Sequence, residues 1–302
     1  MNKVQGIIYA ISSAVAFGLI PAFAVLAYSG GINAISTAFF RFFIATLILY
    51  IIIRSRRISL VLEKKTFGRL LFLSIAGYAA TCITLFLSYV YIPISLAITM
   101  HFTYPAIVTL LSFFILKEKM GTVKLISLLL SVAGVYILSD PGNAAINVKG
   151  VVLALASGVF YSIYTVELAR EEIKVMDGLV LTFYVSLFSA ASIFIYAATT
   201  GSLVFSAKAS VILPVLGIAI ICTVFAILAY YKAVQTIGPS DTAILSTFEP
   251  VTGVLLGILA FGEKLSMSSA IGSALVIMSV LLFSIKKNSK EDESKIFEAS
   301  EN

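Results

Sequence analysis

The chain has 302 residues, of which 60% are hydrophobic and only 12% charged, and its mean hydropathy is +1.06. A soluble fold of that size cannot cover its surface with so few polar groups, so the composition excludes a soluble globular protein and makes lipid the solvent. The net charge of +6 raises the question of a nucleic-acid partner, but no soluble domain is present to display a basic patch, and none is expected to bind.

A membrane helix needs roughly 20 apolar residues. The stretches between charged clusters supply ten of them, at 5–28, 32–53, 67–91, 93–116, 122–139, 148–168, 177–200, 210–231, 239–262 and 266–285. A transmembrane barrel would read as short alternating segments, whereas runs such as VLALASGVFYSIYTV do not alternate. The fold expected is an all-α membrane protein of ten transmembrane helices. Lys3 and the triplet Ala14, Val15, Ala16 resemble a cleavable leader, but the apolar run continues to Tyr28, which makes it a first span. Cys82 and Cys222 both fall inside spans, with no disulfide framework or metal-ligand spacing, so neither metal nor cofactor is expected.

Ten spans put the N-terminus, the loops after spans 2, 4, 6 and 8, and the C-terminus on one side. Seventeen of the 21 Lys and Arg residues lie there; Lys149, Lys208 and Lys264 lie on the other side, and Arg41 lies within span 2. The positive-inside rule places both termini in the cytoplasm of a multi-pass cell-membrane protein. Residues 286–302 are short, polar and mixed in charge, which predicts a disordered tail.

An offset of 144 to 145 residues aligns the chain with itself. GIIYAISSAVAF (6–17) matches GVVLALASGVFY (150–161) at four of twelve positions, and PAIVTLLSFFILKEK (105–119) matches PVTGVLLGILAFGEK (250–264) at five of fifteen. The repeats are taken as 1–143 and 144–285, each with five spans. An odd number means that the second repeat enters the membrane from the opposite side, and inverted repeats are a recurrent construction in secondary transporters.

Two five-span halves, each with a Pro-then-Glu pattern in its fourth span, resemble the EamA-type transporters of the drug/metabolite transporter superfamily. The resemblance covers 5–285 and is carried most closely by FEPVTGVLLGILAFGEKLS (248–266), with ASGVFYSIYTV in span 6 and AFFRFFIATLIL in span 2. The first half departs from the pattern, with Tyr104 where the second has Glu249 and Lys117 where it has Gly262. What the resemblance implies is alternating-access export of a small organic metabolite, amino acid-like or drug-like. It also implies that span 2 flanks the cavity.

Charges at membrane depth are costly, so Arg41, His101 and Glu249, each near the middle of a span, are candidate functional groups. Glu249 precedes Pro250 as Tyr104 precedes Pro105, and a proline inside a helix frees the carbonyl four residues back. Those carbonyls belong to His101 and Ser246, which the repeat offset aligns, so a polar cavity is expected between spans 4 and 9. The prolines have a second reading as bends for packing, and His101 and Glu249 as buried partners of hydroxyls. If transport is proton-coupled, Glu249 is the candidate carrier and His101 the second titrating group. Arg41 needs an acceptor, which is a helix end, a carbonyl or a substrate carboxylate. Phe17, Tyr161 and Tyr164 sit in the repeat-related spans 1 and 6 and either line the cavity or pack. Pro21 would free the carbonyl of Phe17, and its counterpart Thr165 can bond that of Tyr161, marking both spans for irregularity. Glu118-Lys119 and Glu263-Lys264 are expected to pair with helix ends, and Gly253 and Gly257 to permit close helix approach.

No phosphate-binding loop, metal cluster or soluble catalytic domain is visible in the sequence, which argues against an ATP-driven pump and leaves no catalytic residue to name. A membrane-embedded enzyme or sensor is the alternative. It lacks a convergent nucleophile, and a passive channel lacks charged rings.

Overall fold

The computed structural model describes residues 2–92, 94–138, 147–206, 208–261 and 266–300, and no strand occurs among them. Eight segments are long and apolar enough to cross a bilayer: Lys3–Ser29, Ala34–Ser55, Lys64–Ser88, Leu96–Leu116, Val148–Glu167, Gly178–Thr200, Ala209–Ile237 and Pro239–Leu259. Thr122–Leu138 and Met267–Phe283 are shorter apolar helices. Together they are the ten expected spans, numbered 1 to 10 in chain order with the short pair as spans 5 and 10.

The packing carries a two-fold relation. Span 1 packs on span 8 as span 6 packs on span 3, and span 9 meets span 1 as span 4 meets span 6. Spans 2 and 7, 4 and 9, and 5 and 10 meet in pairs. Exchanging each span with the one five places on maps this set of contacts onto itself, as two inverted repeats require. The relation reaches single residues. A Cβ on Gly6 would fall 2.5 Å from Ile237, and one on Gly150 would fall 2.7 Å from Ile92. Gly6 and Gly150 lie 144 positions apart, and Ile92 and Ile237 lie 145 apart. The absence of a side chain lets the same two helix ends touch in each half.

Spans 1, 4 and 9 are each broken into two helices: Lys3–Gly18 and Ile20–Ser29, Ile94–His101 and Tyr104–Leu116, Pro239–Ser246 and Phe248–Phe261. The breaks in spans 4 and 9 use one device. The Thr103 N–H and hydroxyl both donate to the Met100 carbonyl, at 3.3 and 2.8 Å, and those of Thr247 both donate to the Ile244 carbonyl, at 3.3 and 2.6 Å. A threonine that tightens the last turn in this way competes with continuation of the helix. Pro21, Pro105 and Pro250 then fall in the first turns of the helices that follow, where an amide hydrogen has no intrahelical acceptor and its loss costs little. This corrects the expectation that the prolines sit inside continuing helices and free carbonyls there; the helices stop ahead of them.

Span 6 is also corrected, since it is one unbroken helix, Val148–Glu167. The Thr165 hydroxyl bonds the Tyr230 hydroxyl at 2.9 Å rather than the Tyr161 carbonyl. Spans 3 and 8 instead carry matched π-helical segments, Leu73–Ala79 and Ile220–Phe225. The last helix runs Met267–Ser300, and its apolar part is span 10.

Candidate functional site

The breaks in spans 4 and 9 face each other in the middle of the bundle, and they bring together the side chains singled out in the sequence. The Ser246 hydroxyl donates to the Thr242 carbonyl at 2.9 Å, and the helix that carries it packs against the helix that carries Tyr104. Tyr104 and Ser246 are buried, whereas His101 and Glu249 beside them keep part of their exposure.

His101 packs among aromatic rings, with centroids 5.4 Å from Tyr104 and 5.6 Å from Tyr161. Its Nδ1 lies 2.9 Å from the Ser157 hydroxyl, which donates to the Ala154 carbonyl at 2.6 Å. These two contacts tie the imidazole of span 4 to span 6. Tyr161 stands 4.8 Å from Tyr104 edge to face, 5.7 Å from Tyr164 and 5.9 Å from Tyr230. Tyr78 closes the group 4.8 Å from Tyr164. Phe17 is buried in the same core.

Arg41 does more than flank the site. Span 2 turns it inward, where it is buried, with Nη2 donating to the Tyr78 hydroxyl at 3.3 Å and Cζ 4.4 Å from the Phe42 ring centroid. Its Nε and the Tyr164 hydroxyl are buried with no hydrogen-bond partner. Glu249 is half-buried on span 9 and close enough to feel the Arg41 charge. Among the described residues no ion pair within 4.0 Å joins them.

Two glycines set how near the backbones come. A Cβ on Gly158 of span 6 would lie 2.9 Å from the His101 carbonyl oxygen, and one on Gly18 of span 1 would lie 2.7 Å from the Glu249 carbonyl oxygen. On the half of the membrane away from the termini, a cavity of about 230 Å³ lies between spans 1 and 9, lined by Gly18, Pro21, Ala22, Gly253 and Gly257 among others. Gly253 therefore borders open space instead of serving the close packing expected of it. Glu118 pairs with neighbouring helix ends as expected, while Glu263 and Lys264 lie outside the described residues.

Tyr78, Tyr230 and Ser157 belong to this site and were not singled out from the sequence. The rule that a mid-span tyrosine needs a partner for its hydroxyl, applied to every span rather than to spans 1 and 6, points to Tyr78.

The profile described as the EamA-like transporter family matches the chain twice, over residues 4–140 and 148–285. The chain is 27% identical over 264 residues to an uncharacterized transporter of Archaeoglobus fulgidus, a match covering 86% of this chain and 92% of that one. It is 30% identical over 187 residues to an uncharacterized transporter of Bacillus subtilis and 25% identical over 188 residues to one of Clostridium kluyveri. The chain spans about 60% of the length of these last two relatives. A crystal structure superimposes with a TM-score of 0.84, covering 96% of this chain and all of the other, at 17% identity. That likeness concerns the fold alone.

Proposed function

Because the chain belongs to the EamA-like transporter family, we propose that this membrane transporter moves a small zwitterionic, amino acid-like molecule by alternating access, and that the aromatic junction of spans 4 and 9 holds it. The observation that carries the reading is the separation of charge at that junction. Arg41 and Glu249 are opposite in sign, within electrostatic reach of each other and not paired. Each charge at membrane depth calls for a partner. A molecule with one carboxylate and one ammonium satisfies both, the carboxylate on the fork of Arg41 and the ammonium on Glu249. Tyr78, Tyr104, Tyr161 and Tyr164 then surround its remaining atoms with rings suited to an apolar or aromatic side chain.

Movement is supported by the architecture. Broken helices in spans 1, 4 and 9 provide hinges at one depth, and the two-fold relation lets the halves exchange conformations around a fixed site. The charge bias of the loops supports cytoplasmic termini, and the family resemblance supports export. Glu249, with His101 beside the same rings, is the group placed to couple movement to a proton.

The test is counterflow in reconstituted vesicles against a panel of amino acids, sugars and cationic drugs. Saturable exchange is expected for zwitterions and is lost in Arg41→Met. Competition by sugars or by cations without a carboxylate, with none by amino acids, overturns the substrate class.

A further inference from the structure

We propose that Glu118, Lys124, Ser240 and Asp241 form a latch that holds the termini-bearing face closed and makes the conformation open away from the termini the resting state of transport. The inference rests on the alternating-access reading above and adds the residues that set its starting point.

The latch is built by two unusual backbone positions. Helix Tyr104–Leu116 ends at Lys117, whose φ of +57° turns the chain and delivers Glu118. Helix Pro239–Ser246 begins after Gly238, whose φ of +87° brings the backbone so near that a Cβ there would fall 2.8 Å from Glu118 Oε1. The Glu118 carboxylate thus lies against the first turn of span 9, where the helix dipole favours a negative charge. Ser240 donates its hydroxyl to Glu118 Oε2 at 2.6 Å. Lys124 Nζ, from the start of span 5, lies 2.7 Å from Glu118 Oε2 and 3.1 Å from Asp241 Oδ1. The side chains of Lys124, Glu118 and Asp241 keep only 11, 22 and 15% of their exposure. Partly desolvated and joined through Lys124, these charges interact more strongly than isolated surface pairs. The network fastens the corner between spans 4 and 5 to the start of span 9, the two elements that must part if the junction is to open toward the termini.

Inverted repeats built from identical halves would make the two facing states equal in energy. This chain breaks the equality. At the repeat offset Lys124 corresponds to Ser268 or Ser269, and Asp241 to Leu96 or Ala97, so the cation and one of the acids have no counterpart. Among the described residues every salt bridge lies on the termini face, including the second group of Lys65, Arg69, Glu167, Arg170 and Glu172. The far face is joined by neutral bonds, Asn33 Nδ2 to the Ser202 carbonyl and the Val204 N–H to Ser36 Oγ, each 2.7 Å. The cavity between spans 1 and 9 lies on that far side.

The experiment uses the full chain without Cys82 and Cys222, carrying one cysteine at Ser112 in the buried termini-side half of span 4, or at Ala22 in the far-side cavity. A water-soluble thiol reagent reads both in vesicles. Lys124→Gln is expected to speed labelling at 112 by about tenfold and to slow it at 22, while Lys124→Arg restores both rates. General loosening raises both rates together, and a purely structural ion pair leaves both unchanged in folded protein; either result overturns the latch. Counterflow on the same vesicles separates the two proposals, because transport with unchanged labelling removes the latch alone, and opposed labelling without transport removes the transport reading alone.

Discussion

The breaks in spans 4 and 9 share a backbone and differ in side chains. Thr103 and Thr247 end their helices with the same pair of bonds, and a proline opens each following helix. Around that common frame, span 4 presents His101 and Tyr104, whereas span 9 presents Ser246 and Glu249. Duplication kept the device that places irregular backbone at membrane depth, where protein must satisfy it. The chemistry lies in what diverged. One half contributes an aromatic imidazole surface and the other a carboxylate, and Arg41 supplies the opposite charge from span 2.

If the carboxylate of span 9 and not the imidazole of span 4 is the coupling group, the largest effect belongs to Glu249→Gln. That variant should lose accumulation driven by a pH gradient while keeping substrate exchange. Normal pH-driven accumulation by a folded variant transfers the role to His101 or leaves gradient-driven diffusion. A fall in yield, stability and both activities together makes Glu249 structural.

The close approaches beside the two breaks give the next largest effect. Gly158→Ala and Gly18→Ala each push a Cβ against a carbonyl oxygen on a packed backbone, and overpacking of this kind costs about 1–3 kcal/mol. Thermal melting in detergent should show both variants destabilised. A neutral Gly158→Ala beside a damaging Gly18→Ala would mean that the two breaks are not held alike.

Smaller still is the threonine device. Replacing a hydroxyl bond inside a membrane bundle costs ~0.6 kcal/mol on average, and Thr103→Val and Thr247→Val should lose about that much each in a denaturation series. Unequal losses would show that only one break depends on its threonine.

The smallest effect is expected on the termini face at Lys65, which bonds the Glu172 carboxylate at 2.5 Å and holds that carboxyl below the usual carboxylate range. A lowered carboxyl stabilises the fold above its unfolded-state range, and the contribution fades as the pH falls through the folded one. Lys65 is exposed and the pair is open to solvent on its side, so Lys65→Gln should leave the melting temperature unchanged at neutral pH and moderate salt. It should flatten only the acid end of the stability profile.

Hydropathy made the ten spans legible to within a few residues, because lipid leaves so few ways to hide a backbone. The exception matters. Span 8 was ended near residue 231 and runs to Ile237, which hid how deep Tyr230 sits. Prolines located all three breaks, but the cause, a threonine bonding back to the turn before it, depends on side-chain geometry that spacing does not reveal. The π-helical segments of spans 3 and 8 have no marker residue at all. For Arg41 the depth is readable and the direction is not, since packing against spans 7 and 8 sets the facing of a helix of 22 residues. The partners of Glu118 divide in the same way. Lys124 is six positions away, whereas Ser240 is 122 away and becomes a neighbour only through the repeat fold.

The central claim, that substrate occupies the junction of spans 4 and 9, is tested most directly by cysteines placed singly at Tyr104 and Ser246 in a chain lacking Cys82 and Cys222. Both positions are buried here, so labelling reports an opening of the junction during the cycle. Each cysteine is expected to react with a small water-soluble thiol reagent in membranes, and a transported amino acid is expected to slow the reaction. Cysteines that stay inert in an active transporter, or react at a rate substrate does not change, would contradict it and return the two breaks to a purely structural role.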